Sequence, residues 1–208
     1  MSHDRDWVEL AAMLLLALAA VATAWSSYQA TRWNGEQAKT ASRVNKTRFE
    51  ATRASDLANS QTQVDVATFI QWVDAYAQKE PELTSFYRTR FRDEFKPAFD
   101  AWVATKPLKT EDAPATPFAM PEYRLAAKAR SERLDREAER LAAEVRRDIQ
   151  RASNYVLAVV LFAVALFFAG MSTRLGTRGL REAMLVMGWV VFVGAVVWIA
   201  TSPVSVGI

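Results

Sequence analysis

Three long stretches without a charged residue constrain this chain more than any other feature of its sequence. They run over residues 10–25, 155–171 and 183–200. A helix needs about 20 mainly apolar residues to cross a bilayer, and each stretch reaches that length once its interfacial flanks are counted. The sequence therefore predicts an all-helical integral membrane protein with three transmembrane helices.

The segment between the first and second stretches has the opposite character. Residues 30–151 hold 22 of the 26 basic residues and 19 of the 23 acidic residues. About 120 residues are enough for one domain. We therefore predict an N-terminal transmembrane helix over 1–29, a soluble helical domain over 30–152 and a C-terminal transmembrane hairpin over 153–208. Because basic and acidic residues alternate along the soluble segment, nucleic-acid binding is not expected.

The first apolar stretch has two interpretations. A secretory signal peptide would end at a cleavage site such as Ala-Thr-Ala at 22–24. Its leader, however, has two acids beside one arginine at 4–6, whereas signal peptides begin with a net positive charge. Trp7 at one end and Trp25 at the other fit the aromatic belts of two membrane interfaces. We interpret the stretch as a retained transmembrane helix.

Small and polar side chains lie along the first helix. The small ones recur at Ala12, Ala19, Thr23, Ser26 and Ala30. In lipid they let backbones approach closely, either within one chain or between protomers, and the sequence leaves both open. The candidates for lining a pore in a homo-oligomer, or for helix packing and anchoring at the interface, are Thr23, Ser26, Ser27, Gln29 and Arg32.

Helical periodicity predicts two long helices that flank the soluble domain. Residues 36–60 carry small apolar residues at helical spacing, which is typical of a helix that pairs closely with another. A heptad-like seam before the second apolar stretch consists of Leu134, Ala138, Leu141, Val145, Ile149 and Ala152. We expect these two helices to form a coiled-coil stalk that continues into the membrane.

An aromatic line is predicted to form a cap on this stalk. Its members recur at nearly every fourth residue: Leu83, Tyr87, Phe91, Phe95, Phe99 and Trp102. Pro81 and Pro97 mark positions where helices begin or bend. Aromatic residues at this spacing are typical of a core. The five aromatic members are also the candidates for contact with a protein partner or a small molecule. We expect Phe118 and Met120 to pin the proline-rich loop 105–121 to the cap.

The residues that catalysis or metal binding would require are scarce. His3 is the single histidine and the chain has no cysteine, so a Ser-His-Asp triad lacks a positioned base. An all-oxygen metal site would need a pattern such as D-x-D-x-D, which does not occur, and neither does a P-loop. Ionisable residues, which mark transport routes, are absent from all three apolar stretches. We expect a protein that is not an enzyme and that uses no cofactor or metal.

The basic residues give two signals about orientation. The short loop 172–181 carries three arginines and no acid, and basic short loops stay in the cytoplasm. The soluble domain and the C-terminus would then lie outside. The membrane-proximal flanks of the soluble domain are also basic, which favours the opposite orientation, although those flanks carry acids as well. We favour the soluble domain outside the cytoplasm.

Four segments have a distinctive composition: WSSYQATRW at 25–33, FKPAFDAW at 95–102, PFAMPEY at 117–123 and NYVLA at 154–158. They resemble segments of a family of uncharacterised bacterial three-helix membrane proteins, and the similarity covers most of the chain. The resemblance implies a bacterial inner-membrane protein with this three-helix layout. It implies no activity, so no functional residue is transferred.

Three hypotheses about function follow. The first is a homo-oligomeric membrane scaffold or interaction module that presents its helical domain to a protein partner. The second is a small oligomeric ion channel lined by the first helix, and the third is a ligand sensor that uses the aromatic cap. A channel predicts that Ser26 or Gln29 faces a symmetry axis, a scaffold predicts that they pack between helices, and a sensor predicts a pocket near Phe91, Phe95 and Trp102.

Overall fold

The regular structure of this chain is helical throughout the described residues. The computed structural model describes residues 3–107 and 109–205, with side chains from Trp7 onward. The helices are α1 (His3–Ala77), α2 (Pro81–Arg90), α3 (Lys96–Ala104), α4 (Ala126–Arg174) and α5 (Arg178–Ala200), with one 3-10 turn at Pro117–Ala119. Three helices, α1, α4 and α5, are long and apolar enough to cross a membrane. The prediction of an all-helical chain with three such segments is confirmed.

The first compact unit contains the described residues up to Arg43 and those from Leu141 onward. The start of α1, the end of α4 and the whole of α5 pack together in it. Their shared core is built mainly from alanine: Ala12, Leu15, Ala19, Ala158, Phe162, Ala165, Ala169, Leu185, Phe192 and Ala195. Many of the larger apolar side chains on the same helices point outward. Small inward residues let the three backbones approach closely.

Gly188 of α5 lies close to both of the other helices in this bundle. A Cβ atom at this position would lie 2.9 Å from Leu15 Cδ2 and 3.4 Å from both the Ala165 carbonyl oxygen and Phe168 Cβ. The contacts come from α1 and α4, so glycine lets all three helices meet at one level. The predicted strip of small residues on α1 is used here for packing within the chain, at Ala12 and Ala19.

The second compact unit runs from Val44 to Arg140. The later part of α1 lies beside the first turns of α4, where Ala58, Leu125 and Ala127 form a small apolar cluster. An exposed ion pair between Arg48 and Glu139, 3.3 Å apart, links the same two helices. Small apolar side chains of α1 therefore pack against the start of α4 within this unit.

Prolines set where the two short helices begin. Pro81 is the first residue of α2 and Pro97 the second residue of α3, where a missing N–H costs no helical hydrogen bond. The break between them divides the predicted aromatic line. No residue of α2 is buried, whereas α3 buries Ala98, Phe99 and Trp102. The aromatic spacing therefore describes the core only from Phe91 onward.

Candidate functional site

Two of the predicted pore residues lie inside the first unit. The side chains of Ser26 and Gln29 are 0% and 1% exposed. Gln29 Oε1 accepts a hydrogen bond from the backbone N–H of Ser205, at 3.0 Å, in the segment after α5. Gln29 thus connects α1 to the segment that follows α5.

The other three candidates have different environments. Thr23 is half-buried, and its hydroxyl donates to the Ala19 carbonyl at 2.7 Å. Ser27 is exposed and Arg32 is half-buried. The five predicted residues therefore do not share one environment, and Ser26 and Gln29 form the buried pair.

Aromatic and basic side chains surround this end of the bundle. The Arg151 guanidinium lies 4.5 Å from the centre of the Trp33 ring, in the geometry of a cation–π contact. The Tyr155 hydroxyl donates to the Pro203 carbonyl at 3.2 Å. These contacts hold the middle of α1, the middle of α4 and the segment after α5 together.

A solid aromatic cluster forms the core of the second unit. Phe69 of α1 packs against the predicted aromatic residues Phe91, Phe95, Phe99 and Trp102. The rings meet mainly edge to face, with centroids 4.8 Å apart for Phe91 and Phe99. Each aromatic pair of this kind adds about 0.5–1.5 kcal/mol beyond its buried area. These four predicted residues therefore form the interior of the unit.

Tyr87, the fifth predicted cap residue, lies apart from this cluster. It is half-buried on α2, and its ring packs edge to face on Phe86 at 5.6 Å. The proline-rich segment does reach the cluster, through Phe118 and Met120. The Trp102 indole N–H also donates to the Pro114 carbonyl at 2.7 Å. One residue of the predicted set is thus peripheral, and the segment 105–121 is bound at several points.

Asp65 is a buried carboxylate that the aromatic pattern did not reveal. Its side chain is 0% exposed. Arg92 donates to Asp65 Oδ2 at 2.8 Å, and the Tyr123 hydroxyl donates to the same oxygen at 3.1 Å. Arg92 also pairs with Glu94, and Glu94 accepts from the backbone N–H of Ala126 at 3.0 Å. The network ties α1 to the link before α3 and to the first residue of α4.

Burial dominates the electrostatics of this network. Desolvation raises the pKa of Asp65 above its ordinary value of 3.8, although the charge of Arg92 and the hydrogen bond from Tyr123 act in the opposite direction. Desolvation also raises the pKa of Tyr123. Asp65 Oδ1 has no hydrogen-bond partner among the described residues. The arrangement joins structural elements, and its carboxylate is costly to keep charged.

Two adjoining cavities lie at the edge of the aromatic cluster. Their volumes are about 770 Å³ and 370 Å³, and both are lined by Trp72, Tyr76 and Val103. Lysines stand on both sides, with Lys79 lining the larger cavity and Lys106 and Lys109 lining the smaller. The surface is therefore apolar at its wall and basic at its margin. The sequence contained a signal for this wall, because Trp72 and Tyr76 are one helical turn apart.

Metal-ligating residues do not cluster in the part of the chain that the structure describes, where no group holds three or more His, Cys, Asp or Glu side chains. Comparisons of the chain with protein-family models, with curated proteins and with solved structures find no match.

Proposed function

We propose that this chain is a membrane-anchored interaction module, without enzymatic activity, that self-associates and presents its second unit to a protein partner. Anchoring is supported by the three long apolar helices. Large apolar side chains point away from the bundle on all of them, for example Val21, Phe167 and Val190. An apolar surface of this extent needs to be covered, and lipid covers it around a three-helix anchor.

One observation favours a scaffold over a channel. Ser26 and Gln29, the strongest candidates for a polar pore lining, are buried within a single chain. The side-chain amide oxygen of Gln29 accepts a hydrogen bond from the backbone N–H of Ser205. A residue committed to packing in one chain is not available to face a conduction path between chains. The geometry therefore supports helix packing as the role of this pair.

Self-association is supported by an exposed apolar seam on α1 in the second unit. Phe49, Leu57 and Val64 are 58%, 54% and 50% exposed. Their spacings of eight and seven residues place them along one side of a helix. Soluble oligomers are mostly symmetric assemblies of identical chains, so a second copy with the same seam is the natural occupant.

Native mass spectrometry of the full chain in nanodiscs tests this proposal. We expect oligomers for the wild type and a shift to monomer for Leu57→Glu, because a buried charge would oppose pairing along the seam. Asn59→Glu is the matched control, since it adds the same charge about 160° around the helix. A monomeric wild type, or an equal loss of oligomers in both variants, would contradict self-association through this seam.

Planar-bilayer recordings test the channel alternative. We expect no conductance from the wild type, and Gln29→Leu should affect assembly or have no effect. A wild-type conductance that Gln29→Leu alters would replace the scaffold with a pore lined by α1.

We further propose an arrangement and an orientation for the second unit. The paired stretches of α1 and α4 within it serve as the stalk, and α2, α3 and the segment 105–121 serve as the cap. The protein lies in a bacterial inner membrane with this unit outside the cytoplasm. The supporting feature is the end of α4 and the start of α5, where Arg174, Arg178 and Arg181 occur without an acid between them.

A further inference from the structure

The two cavities beside Trp72 share the wall formed by Trp72, Tyr76 and Val103, and we call them together the cleft. Each cavity has the size of a small-molecule site. Volumes of about 770 Å³ and 370 Å³ lie within the range of about 300–1,000 Å³ that is usual for ligand pockets. The Trp72 and Tyr76 rings stack with centroids 5.2 Å apart and an interplanar angle of 19°. Tyr76 and Val103 are exposed in the cleft. A flat apolar ligand would cover this wall.

Both described residues with left-handed backbone conformations belong to this cleft. Lys79 has φ 59° and Lys106 has φ 53°, a region that glycine adopts readily and other residues at a cost. Lys79 ends α1, where the N–H groups of Lys79 and Glu80 donate to the carbonyls of Tyr76 and Ala75 at 3.2 and 3.0 Å. These are the two hydrogen bonds of a Schellman helix end, whose left-handed position is usually glycine.

Lys106 occupies the same position at the end of α3. Its backbone N–H donates to the Val103 carbonyl at 3.0 Å. Lysine near a helix C-terminus gains some energy from the helix dipole, but glycine would relieve the backbone strain at both ends. Strained residues that persist in a fold often serve a site. Two strained lysines on one cleft are an observation independent of the aromatic wall.

The charges around the cleft favour an anion. Four of its lining residues are cations, namely Lys79, Arg88, Lys106 and Lys109, against one carboxylate, Glu80. Arg88 is paired with Asp100 at 2.8 Å. The three lysine amines form no ion pair or hydrogen bond with any residue of the described ranges. They therefore remain available to a ligand.

We propose that this cleft binds a small planar aromatic anion, with the ring against Trp72 and Tyr76 and the anionic group attracted by both Lys79 and Lys106. The lysines select the charge and the stacked rings select the flat body. The site lies within one copy of the second unit. It therefore does not depend on the self-association proposed above.

The test is isothermal titration calorimetry of the full chain in nanodiscs, with empty nanodiscs as the blank. The probe is 2-naphthoate, compared with neutral 2-naphthalenemethanol and cationic 2-naphthylmethylammonium. We expect one saturable site per chain for 2-naphthoate, at least about fivefold tighter than for the alcohol, with the ammonium weakest. Affinity for the anion should fall as salt is added. Absence of saturable binding, or equal affinities for the three probes, would overturn the proposal.

Substitutions separate a binding role from a structural one. Lys79→Gln and Lys106→Gln should each weaken 2-naphthoate binding several-fold, whereas Lys46→Gln, an exposed lysine elsewhere in the second unit, should leave it unchanged. Lys79→Gly and Lys106→Gly should keep or raise the melting temperature while weakening binding, because they remove strain together with the amine. Glycine variants that melt lower and bind as the wild type would assign the lysines to the fold alone and overturn the site.

The oligomerisation variant separates this proposal from the previous one. Leu57→Glu should bind 2-naphthoate as the wild type does, whatever its oligomeric state. Loss of binding in Leu57→Glu, with the fold retained, would show that the site needs a second copy and would overturn a site within one chain.

Discussion

Among single residues, Asp65 has the clearest consequence for how stability depends on pH. Its pKa in the folded chain lies above the ordinary value of 3.8 because the carboxylate is desolvated. The folded chain therefore holds this proton more tightly than the unfolded chain does. The contribution of Asp65 to stability is fully present below pH 3.8 and is lost as the pH rises through the folded-state pKa.

Replacing the Asp65 carboxylate with a neutral amide should remove the loss of stability at higher pH. We expect the melting temperature of Asp65→Asn, measured relative to the wild type, to rise as the pH increases from about 4 to 7, because asparagine has no proton to lose. Thermal unfolding across this range, followed by tryptophan fluorescence, measures the difference. Asp56→Asn, the same change at an exposed position of α1, should show no such trend. A difference between Asp65→Asn and the wild type that is flat with pH would contradict a raised pKa.

The burial of individual residues could be predicted only in part from the sequence. The seam prediction assigned Ile149 to the interior, but Ile149 is 46% exposed and Asp148 is buried. A step of four residues from Leu141 to Val145, followed by a step of three, leads to Asp148. Hydropathy instead favours its apolar neighbour, Ile149. Asp148 is tolerated because Arg151, one turn later, pairs with it at 3.1 Å. The burial of Asp65 was not predicted because its partners, Arg92 and Tyr123, are distant in sequence.

Between elements, the crossing at Gly188 gives a sharp prediction. Gly188→Val should destabilise the bundle by about 1–3 kcal/mol, because the added atoms would overlap Leu15 and press on the backbone of Ala165. Gly194→Val is the matched control on the same helix, where an added Cβ atom would meet no neighbouring atom within 4 Å. Thermal unfolding in nanodiscs compares the two. Equal shifts would mean that helix propensity, not crowding, sets the effect.

The starts of the two short helices could be predicted from the sequence more readily than their ends. Pro81 and Pro97 mark the first turns of α2 and α3, because proline tolerates few other helical positions. The end of α2 carried no comparable signal. Phe91, in extended backbone conformation, continues the four-residue spacing although the helix has stopped. Spacing alone cannot reveal such a break, because the Phe91 side chain still reaches the core from the non-helical segment between α2 and α3.

For the whole molecule, the proposed orientation in the membrane can be tested directly. The chain has no cysteine, so a single introduced thiol reports its own location. We expect Ala115→Cys, in the second unit, to react with a membrane-impermeant maleimide in intact spheroplasts. Thr177→Cys, before α5, should react only after permeabilisation. The reverse pattern would mean that the second unit faces the cytoplasm.

The number of long apolar helices was predictable because it depends on hydropathy and length alone. In the structure, the described residues up to Arg43 belong to the first unit. Polar residues such as Gln29 can belong to a bundle when they find partners, here the backbone of Ser205.

The alanine-built interior of the first unit has a practical consequence for mutagenesis. Alanine scanning detects a core by truncating large side chains, and at Ala12, Ala19, Ala158 or Ala165 there is nothing to truncate. Such a scan would therefore not detect the contacts made by these alanines. A scan with valine or leucine has the opposite sensitivity, because each added methyl group must displace a neighbouring helix. In this protein, substitution by larger residues will identify helix contacts that alanine scanning does not detect.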